Sequence, residues 1–363
     1  MRYFFLLIML LPVAAQIYVT WRVWQMLPLP VWAKVLIAAL MTLAFGLFFL
    51  ALMPQLDRLP MPLAVSIYHI GTSWTIILLY LLMLFVALGL LRICHVLPTQ
   101  YLHSSWIGTS FFFVFMLLVF TYGYVHYRHK VRVPLELKTQ KPLDLPLRIV
   151  MTSDWHLGYH NRRAELARWI DLINAEEPDL ILIAGDIIDR SIRPLDDEGM
   201  AEEFHRLKAP VYACLGNHEY YSGEPQALRF YREAGICLLR DSVANVGPLT
   251  IVGRDDRSNP HRRRLSTLVK EVDSNQFIIV LDHQPYLLEE VEAAGIDFEL
   301  AGHTHHGQVW PASWITDSMY ECAYGFHRRG NTRFYVSSGI GIWGGKFRIG
   351  TQSEYVVATI SSN

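Results

Sequence analysis

The first 126 residues of this 363-residue chain are nearly all apolar, and charged residues dominate only after Arg128. That division constrains the fold ahead of any motif. A stretch of about 20 apolar residues crosses a bilayer only as a helix, because lipid offers no partner to its backbone N–H and C=O groups. Four such stretches, approximately Tyr3–Val23, Val31–Met53, Ile70–Leu91 and Ile107–Val125, predict a multi-span helical membrane section over residues 1–126. Trp21, Trp24, Trp32, Trp74 and Trp106 near their ends fit an interfacial aromatic belt. The first stretch also reads as a signal peptide, with Arg2 before it and Val13-Ala14-Ala15 as a cleavage site. Either way the chain beyond it emerges on the same side.

With four spans, both ends of the section share a side. Arg2, Arg58, Arg128, Lys130 and Arg132 lie there, against Arg22, Lys34 and Arg92 on the other. The positive-inside rule therefore puts the following domain in the cytoplasm, by a small margin. His69, His95 and His103 fall at span ends and read as interfacial rings, not ligands. Almost no charge falls within the spans, which speaks against an ion pathway, a proton relay or a transporter. Two readings of the section remain: an anchor, or the wall of a groove for a lipid substrate.

The section after it is expected as a linker over residues 127–146, basic and broken by Pro134, Pro142 and Pro146, then one domain over residues 147–363. Apolar runs at Leu147–Thr152, Leu180–Ala184 and Val211–Leu215 alternate with helical patterns at Asn161–Glu176, Glu198–Leu207 and Pro225–Ala234. Asn161 is the expected cap of the first helix. Further runs follow at Leu249–Val252, Phe277–Leu281, Phe298–Leu300, Phe334–Val336 and Tyr355–Ile360. This pattern predicts a layered α/β fold. The formal net charge of −1 argues against nucleic-acid binding. Cys94, Cys214, Cys237 and Cys322 form no CxxC pair, so neither a thiolate metal site nor a disulfide framework is expected.

Five polar clusters each begin where an apolar run ends: Asp154-Trp155-His156, Gly185-Asp186, Gly216-Asn217-His218-Glu219, Asp282-His283 and Gly302-His303-Thr304-His305. Ligands in open α/β sheets bind at the carboxyl ends of strands. On extended chain Asp154 and His156 share a face, roughly 6–7 Å apart, and can chelate one ion. His303 and His305 repeat the spacing, and each is expected to serve a different ion. Gly185 permits a sharp turn before Asp186, the best candidate to bridge two cations. Asn217 offers an amide oxygen and His283 a neutral nitrogen. Nitrogen and oxygen donors without sulfur suit two divalent ions, with Mn, Fe or Zn ahead of Ca or Mg. Such a pair polarises a phosphoryl oxygen and lowers the pKa of a bridging water. His218 is then left as general acid to the leaving alkoxide, or as a stabiliser of phosphoryl charge.

These clusters resemble the calcineurin-like metallophosphoesterase superfamily, whose pattern is D-x-H, GD, GNH with an acid, H, and GHxH. The resemblance covers roughly Leu147–Ile360. It implies a four-layer α/β/β/α sandwich. It also implies one metal on Asp154, His156, Asp186 and His305, a second on Asp186, Asn217, His283 and His303, and His218 near the scissile phosphate. Ser153–Gly158, Gly302–Gln308 and Ser337–Gly341 look like the bacterial membrane-anchored branch, which implies the cytoplasmic (inner) membrane. Glu219 stands where that family often has Asp, and is expected to orient His218.

Tyr159, His160, Tyr220, His306 and Gln308, with Tyr221 and Trp343, are the expected lining of a substrate pocket. Asp189 reads as a cap for the next segment, with orienting a ligand as the alternative. The run Arg254-Asp255-Asp256-Arg257 with His261–Arg264 is a candidate site for an anionic headgroup, and His327-Arg328-Arg329 a lesser one. The expected activity is hydrolysis of a phosphate ester or diphosphate on a lipid or lipid-linked substrate. The alternatives are the same chemistry on a soluble nucleotide or phosphoester, with the membrane section only a tether, and a non-catalytic scaffold. Nothing in the sequence sets the oligomeric state.

Overall fold

The computed structural model describes residues 2–143 and 145–362, with side chains from residue 10 onward. The chain divides into two compact units, Met1–Gly123 and Tyr124–Asn363.

The first unit is helical, with α1 (Arg2–Met26), α2 (Val31–Leu52), α3 (Met61–Ile93) and most of α4 (Trp106–Arg128). Among the described residues, α2, α3 and α4 are long and apolar enough to cross a membrane. The expected span Tyr3–Val23 falls within α1, and its residues up to 9 lie outside the described side chains. Pro30 and Pro60 precede α2 and α3, where a missing N–H costs nothing. The Trp74 indole donates to Gln16 Oε1 at 2.9 Å, tying α3 to α1.

The second unit holds two six-stranded sheets. The first contains β1 (Lys130–Thr139), β2 (Leu147–Thr152), β3 (Leu180–Ala184), β4 (Val211–Cys214) and β5 (Cys237–Leu238), with the C-terminal strand between β1 and β2. The second contains β6 (Ser242–Val246), β7 (Leu249–Gly253), β8 (Phe277–Leu281), β9 (Phe298–Ala301), β10 (Gly325–Arg329) and β11 (Thr332–Val336). The C-terminal strand of the first sheet is β12 (Ser353–Ser362).

Side-chain alternation separates the layers. Ile149, Met151, Leu182 and Ala184 meet Phe277, Ile279, Leu281 and Leu300 between the sheets. Val150, Ile181 and Ile183 face outward onto Leu166, Trp169, Ile170 and Ile173 of α5 (Arg163–Ala175). Ile278 and Val280 pack on the other side against Leu265, Leu268, Leu288 and Val291 of two short helices. The result is the α/β/β/α sandwich, and strands covered on both faces explain the unbroken apolar runs.

The segment expected as a linker is in large part an edge strand. Lys130–Thr139 pairs in parallel with Ser353–Ser362. Val133, Leu135 and Leu137 turn inward while Arg132, Pro134, Glu136 and Lys138 point out. Charge and proline on one face suit an exposed edge as well as a linker, so composition alone misread it. Asn161 does not cap α5 either, whose first helical residue follows Arg162. It is fully buried, and its amide donates to the carbonyls of Trp155 (3.0 Å), His156 (3.0 Å) and Ile342 (3.2 Å).

Candidate metal centre

Strands β2, β3, β4, β8 and β9 each run into one polar cluster at the carboxyl end. Pairing of β2, β3 and β4 is parallel, as is pairing of β7, β8 and β9, so all five ends emerge at one edge of the sandwich. Asp154, His156, Asp186, Asn217, His283, His303 and His305 converge there. Two groups of possible ligand atoms form around Asp154 and Asp186, Asp154–His156–His305 and Asp186–His283–His303, and a third, His156–Asp189–His218, shares His156 with the first; in each the atoms lie within 4.8 Å of one another. No cysteine takes part in any of them.

The backbone at these residues is not extended. Asp154 (φ 54°), His156 (45°), Asp186 (53°), His303 (70°) and His305 (48°) all adopt the left-handed region. Positive φ is uncommon outside glycine and gathers where structure imposes it for function. Asp154 and His156 thus reach one cluster by a turned backbone, not by the shared face of a strand. Gly185 has φ 76°, and a Cβ there would lie 2.8 Å from Gly216 N and 2.9 Å from His283 Nδ1. Only glycine lets the Asp186 and Asn217 loops approach so closely.

Asp186 Oδ2 lies 3.7 Å from His156 Nε2 and 3.1 Å from His283 Nε2. One carboxylate oxygen therefore faces a ring nitrogen from each group. His156 Nε2 and His305 Nε2 are 2.9 Å apart, with Asp154 Oδ1 at 3.8 and 3.4 Å. Asn217 Oδ1 lies 3.2 Å from His283 Nε2. His283 Nδ1 is 2.8 Å from the Ala184 carbonyl, which fixes the proton on that nitrogen and leaves Nε2 as a donor to metal. Ring nitrogens aimed at one another among carboxylates need a cation between them, so the residues present fit divalent ions.

The electrostatics agree. Burial opposes charge on His156, but its contacts with Asp154 and Asp189 outweigh that and push the ring up to about 10. Burial is likewise outweighed at His283, which Asp186 raises well above the usual range. Burial and then the neighbouring His283 charge push His303 down to about 4. Burial alone would raise Asp154 and Asp186, yet the adjacent His305 and His283 hold both below the ordinary carboxylate range. The carboxylates thus stay ionised and hold protons on His156 and His283, which bound cations would displace, while His303 and His305 are kept neutral as donors.

Of the two acids near His218, Asp189 meets the orienting alternative and Glu219 departs from its expected role. Glu219 does not orient His218. It is fully buried and accepts from the backbone N–H groups of Gly216 (2.7 Å), Ile188 (3.0 Å) and Asp186 (3.1 Å), pinning two ligand loops together. Asp189 is the residue beside His218. Its carbonyl lies 2.9 Å from His218 Nδ1, and its Oδ1 lies 3.4 Å from that nitrogen and 3.5 Å from His156 Nδ1. His218 is half-buried, its ring 4.5 Å from that of His156 and 5.2 Å from that of exposed Tyr221. Of all the histidines in the clusters, it and His303 stand most open to an entering molecule.

The expected pocket residues divide, with Tyr221 and Trp343 exposed and others turned into the protein. Tyr159, His160 and Gln308 are buried. The Tyr220 hydroxyl donates to Asp255 (2.6 Å) and accepts from Arg240 (3.0 Å). His306 stacks on Tyr324 and faces Asp317 at 3.3 Å. In the basic run, Arg254 and Arg262 pair with Asp282 at 3.0 and 2.6 Å, directly behind His283. His327 and Arg329 pair with Glu321. Sequence reasoning missed Arg348 altogether. It is fully buried and donates to the carbonyls of His305 (2.7 Å) and Gly341 (3.2 Å), clamping the last ligand loop. Burial lowers its pKa only to about 10, so it stays charged at neutral pH.

Glu299 on β9 is another buried acid, and its Oε2 has no hydrogen-bond partner among the described residues. Burial, then the charge of Asp282, raise its pKa well above the usual range. The folded state therefore holds this proton more tightly than the unfolded chain. The resulting penalty is absent below the unfolded pKa and grows as pH rises through it. Glu299→Gln is expected to raise the apparent Tm at pH 8 by about 3 °C, a gain of about 1 kcal/mol that vanishes near pH 4. Paired thermal scans at the two pH values check this.

An α/β/β/α sandwich with two adjoining His/Asp groups at its strand ends defines the class: an enzyme-like fold built around a candidate dinuclear centre. The family model for calcineurin-like phosphoesterases matches residues 147–307. An uncharacterised metallophosphoesterase of Aquifex aeolicus is 30% identical over 235 residues, covering 62% of this chain and 89% of the relative. The chain belongs to the calcineurin-like metallophosphoesterase family. An uncharacterised metallophosphoesterase of Campylobacter jejuni is 31% identical, covering 59% of each chain, so this chain spans about three fifths of that relative. A transmembrane protein with metallophosphoesterase domain from Danio rerio is 30% identical, covering 62% of this chain and 55% of the relative.

Proposed function

We propose that the protein is a membrane-anchored, metal-dependent hydrolase of phosphate esters or diphosphates. The observation that carries this reading is Asp186 Oδ2, which faces His156 Nε2 at 3.7 Å and His283 Nε2 at 3.1 Å. In this reading Asp154, His156, Asp186 and His305 hold one divalent ion, and Asp186, Asn217, His283 and His303 the other. Two such ions, Mn, Fe or Zn, polarise a phosphoryl oxygen and make a nucleophile of water at neutral pH. Asp186 sets their spacing. Asn217 adds a neutral oxygen donor. His218, steadied by Asp189, carries a proton to the leaving oxygen or stabilises the phosphoryl charge.

Three apolar helices support a substrate drawn from the membrane, a lipid or lipid-linked phosphoester. The Danio rerio relative, named a transmembrane protein, supports the membrane anchor, and the distribution of Arg and Lys supports a cytoplasmic domain. Full-length protein in detergent is expected to hydrolyse p-nitrophenyl phosphate or bis(p-nitrophenyl) phosphate with added Mn, to lose activity to a chelator, and to regain it with metal. Turnover indifferent to chelation, or a phosphorylated side chain trapped during turnover, would refute the reading. Faster turnover of acylated substrates than of their soluble headgroups would support the lipid assignment.

A further inference from the structure

Three of the basic residues around β7 are neutralised. Arg254 and Arg262 pair with Asp282, and Arg240 pairs with Asp255 and Glu224 at 2.7 and 2.6 Å. Arg257 differs. Among the described residues no carboxylate lies within ion-pair distance of it, and its guanidinium sits over the Tyr286 ring, 4.7 Å from the centroid.

The turn that presents Arg257 is fixed. Asp256 Oδ1 accepts from Ser258 N at 2.7 Å, its carbonyl accepts from Asn259 N at 3.0 Å, and its Oδ2 accepts from Gln284 Nε2 at 2.8 Å. Gln284 directly follows His283. The Tyr286 hydroxyl donates to that of Tyr320 at 2.9 Å, with the two rings 4.9 Å apart. The Tyr320 ring is in turn 6.5 Å from that of His303. An exposed cation with no ion pair is thus held over an aromatic ring, on a turn tied to the metal centre through Tyr286 and Tyr320 towards His303 and through Asp256 and Gln284 towards His283. A guanidinium stacked face-on keeps its in-plane N–H donors open, and their fork matches two oxygens of a phosphate.

We propose that Arg257 is an anion subsite that receives a second phosphate of the substrate, one beyond the phosphate undergoing hydrolysis. The proposal deepens the hydrolase reading and rests on it for the position of the first phosphate. It narrows the substrate to molecules carrying two phosphates separated by a short spacer, whether soluble or the headgroup of a lipid.

The test is binding, so it does not depend on turnover. Full-length protein in detergent with Mn is titrated calorimetrically with butylphosphonate and with alkane bisphosphonates of graded spacer length, none of which can be hydrolysed. The wild type is expected to favour the bisphosphonate of matching length. In Arg257→Ala the ratio of bisphosphonate to monophosphonate affinity should fall by about tenfold, the scale of one charge-assisted contact. Arg257→Lys keeps the charge without the planar fork and should retain only part of the preference. A second arm compares mixed micelles of phosphatidylglycerophosphate and phosphatidylglycerol. A preference there that exceeds the soluble one assigns the second phosphate to a lipid, and one no larger assigns it to a soluble molecule. No bisphosphonate preference in the wild type at any spacer, or a preference unchanged in Arg257→Ala, would overturn the subsite. Absence of hydrolysis with an Arg257-dependent preference intact would instead overturn the hydrolase reading alone.

Discussion

Asp186→Asn is expected to reduce bound metal from two ions per chain to one or none, and to lower phosphoester turnover by about 10³-fold. The magnitude follows from the several kcal/mol of transition-state stabilisation that two ions supply. The substitution is nearly isosteric, which makes the result interpretable. Asp186 Oδ1 accepts from His218 N at 2.9 Å, and an amide oxygen can keep that bond. The backbone contact from Asp186 N to Glu219 is also retained. What disappears is the negative charge between His156 and His283. Without it the site loses its bridging donor and much of its attraction for cations. Elemental analysis of the purified variant beside wild type, with a thermal scan to confirm the fold, checks the prediction. Two ions per chain with unchanged turnover would remove Asp186 from the bridging role.

His218→Ala should separate the two observables. Metal content stays at the wild-type value, because His218 belongs to neither of the two groups assigned to the ions, only to the third, His156–Asp189–His218, while kcat falls by about 10²–10⁴-fold, the usual range for a lost general acid. The choice of substrate separates the two roles open to it. A general acid matters most when the leaving group is a basic alkoxide, and least when it is p-nitrophenolate, which departs unprotonated. A loss much larger for alkyl phosphates than for p-nitrophenyl phosphate therefore assigns proton transfer. An equal loss for both assigns stabilisation of phosphoryl charge. A variant that keeps full activity on both would leave His218 without a catalytic part. Asp189, which faces Nδ1 of both His218 and His156, is placed to hold the rings in position during either task.

Much of this site is legible in the amino-acid sequence. The five clusters stand at the ends of apolar runs, and a fully buried strand announces itself by such a run. Leu147–Thr152, Leu180–Ala184 and Phe277–Leu281 all form strands over the expected residues. The less legible parts depend on partners far away in the chain. Lys130–Thr139 reads as a linker until Ser353–Ser362 is set beside it. Asn161 reads as a helix cap until Trp155, His156 and Ile342 surround it. Arg348 carries no motif at all, and its part is visible only in the carbonyls that converge on it.

The basic run after β7 makes the same point for function. As sequence, Arg254, Arg257 and His261–Arg264 are equivalent candidates for an anion. Asp282 neutralises Arg254 and Arg262, and Tyr286 holds Arg257 without neutralising it.

The sequence by itself determined the two-part layout, the layered α/β fold and the donor types gathered at the strand ends. Those follow from hydropathy, period and ligand chemistry, which are properties of short segments. The tertiary structure alone decided that Asp189, not Glu219, flanks His218, that the ligand residues turn through positive φ, and which cations remain open. Those outcomes depend on which distant groups share a buried site, where every charge and hydrogen-bonding group must find a partner or carry the cost of lacking one.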